Sequence, residues 1–258
     1  MPLQHYLHLM DTMARMRLKA DASRFFLGYI WWVLEPLLYV AVFYVVFELI
    51  LQNRQENFLV FLMCGKLVFI WFSKSINQAS RSIVAAKGLI GKIDTPKAFF
   101  PLASIHEGLY KQASVFLLLF VVLWGNGYGL TASSLWLLPL LIVSYLMIVA
   151  ASLIGAFLVC LAFDFSMLIS LGMIFLMFTS GVFWDVRSLA EPAMIEAVLT
   201  LNPLAFVLDG FRQALLHDAA PAAGHLALIG LGSLLVVVVM LRVMQRRGQF
   251  LALKAITA

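Results

Sequence analysis

The sequence predicts an all-α integral membrane protein with six transmembrane helices and both termini in the cytoplasm. Of its 258 residues 63% are hydrophobic and only 12% are charged, and the mean hydropathy is +0.98. Ordinary soluble domains have about 25% charged residues, so the composition argues against a soluble enzyme and against a disordered chain. The net charge of +5 is explained by basic cytoplasmic loops, and no nucleic-acid partner is predicted.

Six apolar runs follow a polar N-terminal segment, 1–28, and make residues 29–258 a single six-span domain. Each run has roughly the 20 residues that a hydrocarbon layer about 30 Å thick requires. The predicted spans are 29–51, 58–76, 108–124, 135–163, 166–184 and 226–241.

The distribution of charge orients these spans. With both termini inside, most of the 18 Lys and Arg residues fall in the N-terminal segment, in the loop 77–107 and in the C-terminal tail. Cytoplasmic loops carry such an excess of basic residues in membrane proteins. The second long loop, 185–224, is then predicted to lie outside.

The N-terminal segment is amphipathic. Leu3, Leu7, Met10 and Leu18 recur at helical spacing, with Arg and Lys on the other face. This pattern predicts a helix that lies on the cytoplasmic leaflet. A helix packed on a protein partner is the alternative.

The outer loop 185–224 predicts two short helices, 192–199 and 203–216. Proline suits the first turn of a helix, and Pro192 and Pro203 each precede an amphipathic stretch. Asn202 is placed to cap the second helix. Arg212, almost three turns along, could pair with an acidic side chain or with a phosphate of a lipid carrier. The two helices either re-enter the membrane or pack on its outer surface.

Aromatic side chains recur on one face of the first span. Tyr39, Phe43 and Phe47 are four residues apart, which places one ring on each successive turn. Phe175 and Phe178 share a face of the fifth span. These five rings are candidates to line a translocation path, and packing against lipid or other helices is the alternative for each of them.

Catalytic and metal-binding motifs are missing from the sequence. The HEGLY stretch is not HExxH, and no G-x-S-x-G is present. Gly91-Lys92 looks like a fragment of a phosphate-binding loop, but Ala86 and Ile93 occupy the positions that require Gly and Ser or Thr. The sequence therefore predicts no catalytic residue, no metal site and no ATP site in this chain.

Three stretches resemble the membrane subunits of ABC transporters that export polysaccharides. They are SRFFLGYIWWVLEPLLY at 23–39, SRSIVAAKGLIGKIDTPKAFFPLASI at 80–105 and NPLAFVLDGFRQALL at 202–216. The first matches the pattern LG-x-x-W-x-x-L-x-P, and the third matches NP followed by an arginine. The matching residues are Leu27, Gly28, Trp31, Leu34, Pro36, Asn202, Pro203 and Arg212.

The resemblance implies a homodimer that works with two separate ATP-binding cassette subunits, on which ATP and Mg²⁺ bind. It implies export of lipid-linked O-antigen, capsule or teichoic acid chains across the bacterial inner membrane. It also makes the helices of the outer loop a periplasmic gate, with Pro192, Asn202, Pro203 and Arg212 as its candidate residues. An ABC exporter of a drug or small lipid is the alternative, followed by a secondary transporter or a membrane enzyme outside the ABC class.

The loop 77–107 is the candidate contact with the ATPase because it joins two spans directly. Asp94 or Thr95 could cap a short helix with Pro96 in its first turn, from which Phe99 and Phe100 would enter a cleft on the ATPase. Without the resemblance, an interfacial loop whose phenylalanines dip into lipid would be favoured. The candidate coupling residues are Ile93, Asp94, Pro96, Lys97, Phe99, Phe100 and Pro101.

Overall fold

The structure is a computed structural model that describes residues 3–50, 57–92, 95–129 and 131–257. These ranges are helical and contain no strand, which confirms the predicted all-α fold. The α-helices are α1 Leu3–Ser23, α2 Trp31–Tyr44, α3 Phe58–Ser80, α4 Ser82–Ala85, α5 Lys87–Ile90, α6 Phe99–Gly125, α7 Leu137–Leu161, α8 Phe165–Thr179, α9 Pro192–Leu201, α10 Pro203–Leu216, α11 Ala223–Arg246 and α12 Gly248–Thr257.

Five helical segments of the described ranges are long and apolar enough to cross a membrane. They overlap the predicted spans one, two, three, four and six. α9 and α10 together would supply a sixth crossing by length and composition, but they are bent by 109° at their junction. The five segments are Gly28–Ile50, Phe58–Ser80, Phe99–Gly125, Ala132–Leu161 and Ala223–Arg246.

The first span is not a uniform α-helix. A 3-10 turn, Gly28–Ile30, leads into α2, and a π-helical segment, Val45–Ile50, follows it. Pro36 lies inside α2 and removes one backbone donor. The carboxylate of the preceding Glu35 pairs with the Lys74 ammonium of α3 at 2.6 Å, so the intramembrane acid connects the first two spans.

The third span begins earlier than predicted. α6 starts at Phe99 and runs for 27 residues, whereas the hydropathy pattern predicted a span from 108. The polar stretch 77–107 is therefore mostly helical, since α3 extends to Ser80 and the short helices α4 and α5 follow. The apolar run is interrupted by His106 and Glu107, although Glu107 is itself buried. Because of this polar interruption, the hydropathy pattern did not indicate the first turns of α6.

The fifth span is shorter than predicted. α8 has 15 residues and ends at Thr179, where the predicted span continued to 184. A helix of this length covers about 22 Å, less than the hydrocarbon layer. Gly181 has a φ of 70°, a left-handed conformation that turns the chain. Trp184 then folds back and donates its indole N–H to the carbonyl of Phe178 at 2.8 Å.

α3 is the centre of the bundle, and most of its side chains are buried. α6 and α7 pack along it, α10 closes one end, and α11 packs on the far side of α7. α2 and α8 each contact α3 but leave apolar side chains exposed on their outer faces. These two helices therefore present uncovered apolar faces beside α3.

The N-terminal helix packs on the chain itself. Ala14, Leu18 and Ala22 of α1 are buried, and α1 lies along the first half of α6. The Lys111 ammonium pairs with the Asp21 carboxylate at 2.7 Å. A hydrogen bond from the Tyr110 hydroxyl, the largest cause, holds the pKa of Asp11 below its ordinary value. Part of the apolar face that the sequence assigned to the leaflet is thus used within the fold.

Candidate functional site

α9 and α10 correspond to the two helices predicted to form an outer gate, are called the gate helices below for that reason alone, and meet at Asn202. Its amide oxygen accepts hydrogen bonds from the backbone N–H groups of Leu204 and Ala205 at 3.1 and 3.2 Å, which confirms the predicted N-cap. Pro203 occupies the first position of α10, and Pro192 that of α9. The amide nitrogen of Asn202 also donates to the Ser180 hydroxyl at 3.0 Å. One side chain thus starts α10 and ties it to the end of α8.

Arg212 of α10 is buried, and its partners within the described residues are backbone carbonyl groups and an aromatic ring. Its guanidinium donates to the carbonyl oxygens of Gly181 at 2.6 Å, Val182 at 2.9 Å and Phe61 at 3.4 Å, and its central carbon lies 3.6 Å from the centre of the Phe61 ring. Among the described residues no acidic side chain pairs with Arg212, so the predicted acidic partner is not found. Carbonyl dipoles and a ring face compensate a buried cation here.

Gly65 of α3 makes room for Arg212. A Cβ atom at this position would overlap Nη2 of Arg212 and lie 3.1 Å from its Cζ and 3.3 Å from the Val182 carbonyl oxygen. Arg212, Gly65 and the turn at 181–182 therefore form one packed unit, which we call the arginine clamp. It fixes α10 to α3 and to the turn that follows α8.

The clamp places Phe183 among the predicted aromatic residues. The ring of Phe183 lies 4.5 Å from Phe43, 5.2 Å from Phe47 and 5.7 Å from Phe178 between centroids. Three of the five predicted rings therefore meet in one cluster. Tyr39 lies outside it, half exposed.

Phe175 also lies outside the cluster and is exposed. Phe183, at its centre, was missed because it follows the helix rather than repeating along it. The sequence signal that could have identified Phe183 is an aromatic residue placed directly after the turn that contains Gly181.

A buried lysine completes this aromatic cluster. Lys66 of α3 is 4% exposed, and its ammonium lies 4.3 Å from the centre of the Phe43 ring and 5.2 Å from that of Phe183. It donates to the sulfur of Met177 at 3.0 Å. Among the described residues no carboxylate pairs with it. The ammonium is held by cation–π contacts, and such an intramembrane charge is uncommon outside functional sites.

The candidate coupling segment has a different geometry from the predicted one. Ile93 and Asp94 lie outside the described residues. Pro96 is exposed and precedes the helix, and Pro101 lies within the first turn of α6. Lys97 is buried and donates to the carbonyl of Thr95 at 3.1 Å. No short capped helix starts at Pro96.

Phe99 and Phe100 are buried in the core, at 3% and 1% exposure. Phe99 meets the ring of Tyr6 edge-on at 5.5 Å. The prediction that these two rings protrude into a cleft of the ATPase is therefore wrong, because both are used to seat the start of α6. Between α3 and α6 the exposed side chains of the described residues are Arg81, Ala85, Lys87, Leu89, Lys92 and Pro96.

A cavity of about 1170 Å³ lies beside this segment. Tyr6 and Met10 of α1, the stretch 95–98, and Gln245 and Gln249 at the start of the tail line it. The three segments that the charge pattern assigns to the cytoplasm therefore converge on one end of the molecule. The gate helices close the opposite end of α3.

These features define a class of protein: a multi-pass helical membrane protein whose charged groups fix helices together. Among the described residues no group of three or more His, Cys, Asp or Glu is placed to bind a metal. Residues 12–216 match the ABC-2 type transporter family, and the chain belongs to that family. It is a transport permease of the inner membrane, and the prediction that it is not itself an enzyme is confirmed.

Curated relatives cover most of the chain. The O-antigen export system permease protein RfbA of Klebsiella pneumoniae is 26% identical over 219 residues, which are 83% of this chain and 83% of the relative. A second RfbA of that organism is 25% identical over 193 residues, 74% and 73% of the two chains. RfbA of Myxococcus xanthus is 23% identical over 225 residues, 86% and 85% of the two chains.

Proposed function

We propose that this chain is the permease of an ABC exporter that moves a lipid-linked surface polysaccharide, O-antigen or capsule, across the bacterial inner membrane. The observation that carries the proposal is the similarity to O-antigen export permeases over more than four fifths of both chains. ATP and Mg²⁺ would bind to two separate cassette subunits. An exporter of drugs or small lipids is the competing function, and no specific contact favours it.

A second copy of the chain is the proposed partner across the path. α2 exposes Leu38, Tyr39 and Val42, and α8 exposes Leu171 and Phe175. These faces flank the aromatic cluster, so a path between two copies would have Tyr39 and Phe175 at its wall and Phe43, Phe47 and Phe178 behind them. Rings present flat apolar faces. Such a wall suits a polymer that must slide without being held tightly.

We still propose that the segment between α3 and α6 couples to the ATPase. The contact surface that we now propose is different from the one predicted from the sequence. Leu89 and Lys92 are exposed beside the large cavity, whereas Phe99 and Phe100 are not. The buried start of α6 then transmits motion from this surface into the third span. Packed interiors resist deformation and therefore pass on displacement.

Deletion of the gene tests the function. The expected result is loss of polymer from the cell surface and accumulation of lipid-linked polymer in the inner membrane, with both restored by the wild-type gene. Immunoblots of surface polysaccharide and of spheroplast lipid extracts measure the two pools. Normal surface polymer together with new sensitivity to drugs would favour the competing function and overturn this one.

A further inference from the structure

A second, smaller cavity lies at the gate helices and is not part of the aromatic cluster. Its volume is about 420 Å³, and it lies between α9, α10 and the first turn of α11. We call it the outer pocket. Its polar lining consists of Arg187, Glu196, Thr200, Asp209 and His225, and Phe206 closes an apolar side. The size is within the range of small-molecule sites, about 300 to 1,000 Å³.

A two-point ion pair forms one wall of the outer pocket. Nε and Nη2 of Arg187 donate to the two carboxylate oxygens of Asp209, each at 2.8 Å. Asp209 is buried, while about half of the Arg187 side chain is exposed. Within the described residues Nη1 of Arg187 has no hydrogen-bond partner, so this lining side chain keeps unused donors. Oδ1 of Asp209 also accepts from the Gln213 amide at 3.4 Å, so the acceptor capacity left within the described residues is on Oδ2.

A second part of the lining contains a polar atom without a partner among the described residues. Nε2 of His225 is buried and makes no hydrogen bond with the described residues. The imidazole meets Phe206 edge-on, with 4.5 Å between the ring centroids. Buried polar groups are nearly always hydrogen-bonded. This nitrogen therefore marks where a ligand that offers a donor or an acceptor would be recognised.

The charges of the outer pocket decide between kinds of ligand. It contains one guanidinium and two carboxylates, of Asp209 and Glu196, so a phosphate or another acidic group is disfavoured. Hydroxyl groups both donate and accept, and they match this mixture of unused donors and acceptors. Phe206 and the adjoining prolines offer an apolar surface for the face of a sugar ring. A neutral saccharide offers hydroxyl groups to the unused donors and acceptors and an apolar ring face to Phe206.

We propose that the outer pocket binds a neutral saccharide unit of the exported polymer on the periplasmic side of the gate helices. The proposal rests on the proposed polysaccharide export and adds a subsite to it. Asp209 precedes Arg212 by three residues on α10, so an occupied pocket contacts the same helix as the arginine clamp. Weak binding of a saccharide unit in the outer pocket would oppose backward sliding of the polymer.

Saturation-transfer NMR on the purified permease with its ATPase, in nanodiscs, tests the pocket directly. The probes are lactose, cellobiose and mannobiose, with inorganic phosphate followed by ³¹P line broadening. We expect transfer to at least one disaccharide and none to phosphate. Thr200→Trp, at the mouth of the pocket, should lower the transfer at least fivefold. Ala197→Trp, exposed on the same helix but outside the lining, should leave it unchanged.

His225→Phe should also lower the transfer, whereas His217→Phe, exposed and outside the lining, should not. No transfer in the wild type, equal transfer in Thr200→Trp and Ala197→Trp, or phosphate broadening without sugar transfer would each refute the saccharide site. If the wild-type gene restores surface polymer while no disaccharide binds, the subsite is wrong and the export function stands. If surface polymer does not depend on the gene, the export function itself fails.

Discussion

Gly65→Ala should disrupt the arginine clamp. The added methyl group would overlap Nη2 of Arg212 and approach the Val182 carbonyl oxygen at 3.3 Å. The backbone of α3 is buried on this side and cannot retreat, so the guanidinium must leave its position. The three carbonyl groups that now accept from Arg212 would then lose their donor.

The size of the effect follows from those bonds. Side-chain hydrogen bonds in a helical membrane protein average about 0.6 kcal/mol, so three bonds give a lower limit of about 2 kcal/mol. Leaving a buried charge without its partners costs up to about 5 kcal/mol. Alanine gains about 1 kcal/mol over glycine in a helix interior. We therefore expect a net destabilisation of about 1–4 kcal/mol.

Unfolding in mixed micelles with increasing SDS measures this change. Gly232→Ala is the matched control, since the added methyl group in α11 meets nothing within 4 Å. It should be neutral or stabilising. In an Arg212→Met background the overlap is gone, and Gly65→Ala should cost much less than in the wild type. If Gly65→Ala is as stable as Gly232→Ala, the arginine clamp does not stabilise the folded protein as described.

Three further changes test other parts of the molecule. Tyr39→Ala combined with Phe175→Ala removes two exposed rings and should reduce polymer export several-fold without changing the unfolding midpoint; full export would exclude them from the path. Leu89→Asp should weaken co-purification of the ATPase at least fivefold, while Leu201→Asp, exposed on α9 at the opposite end of the molecule, should not; equal retention of the ATPase by both variants would show that Leu89 is not part of the coupling surface. The pKa of Asp11 is lowered in the folded protein, so its carboxylate stabilises the packing of α1. This stabilisation is complete above the ordinary carboxyl pKa of about 4. It is lost as the pH falls through the lower pKa of the folded state. Proteolysis of α1 by pepsin should therefore accelerate over that acidic range in the wild type but not in Asp11→Asn, and identical pH profiles would refute the role of this carboxyl.

Local signals predicted much of this fold. Hydropathy located the five long spans because each apolar run is longer than any soluble core requires. Proline at the first turn and asparagine before it predicted the two gate helices and the cap at Asn202, since these effects depend only on neighbouring residues. The helical repeat also brought Phe43 and Phe47 to one face correctly.

Contacts between distant segments were not predictable in the same way. The partners of Arg212 are backbone carbonyls at 61, 181 and 182, and a carbonyl has no sequence signature. The expected exposure of Phe99 was wrong for a related reason, because its burial depends on α1, which lies far away in the sequence. The end of α8 was missed because hydropathy continues through a turn that a single left-handed glycine produces.

The arginine clamp connects regions that the sequence treated as separate sites. α10 holds the turn at 181–182 through Arg212, and the next residue, Phe183, is packed against Phe43 of the first span. A rigid displacement of α10 must therefore either break short hydrogen bonds to carbonyls or move Phe183 with it. Since packed interiors switch between discrete arrangements rather than deform gradually, the second outcome is favoured. We therefore expect α10 and the aromatic cluster around Lys66 to change position together.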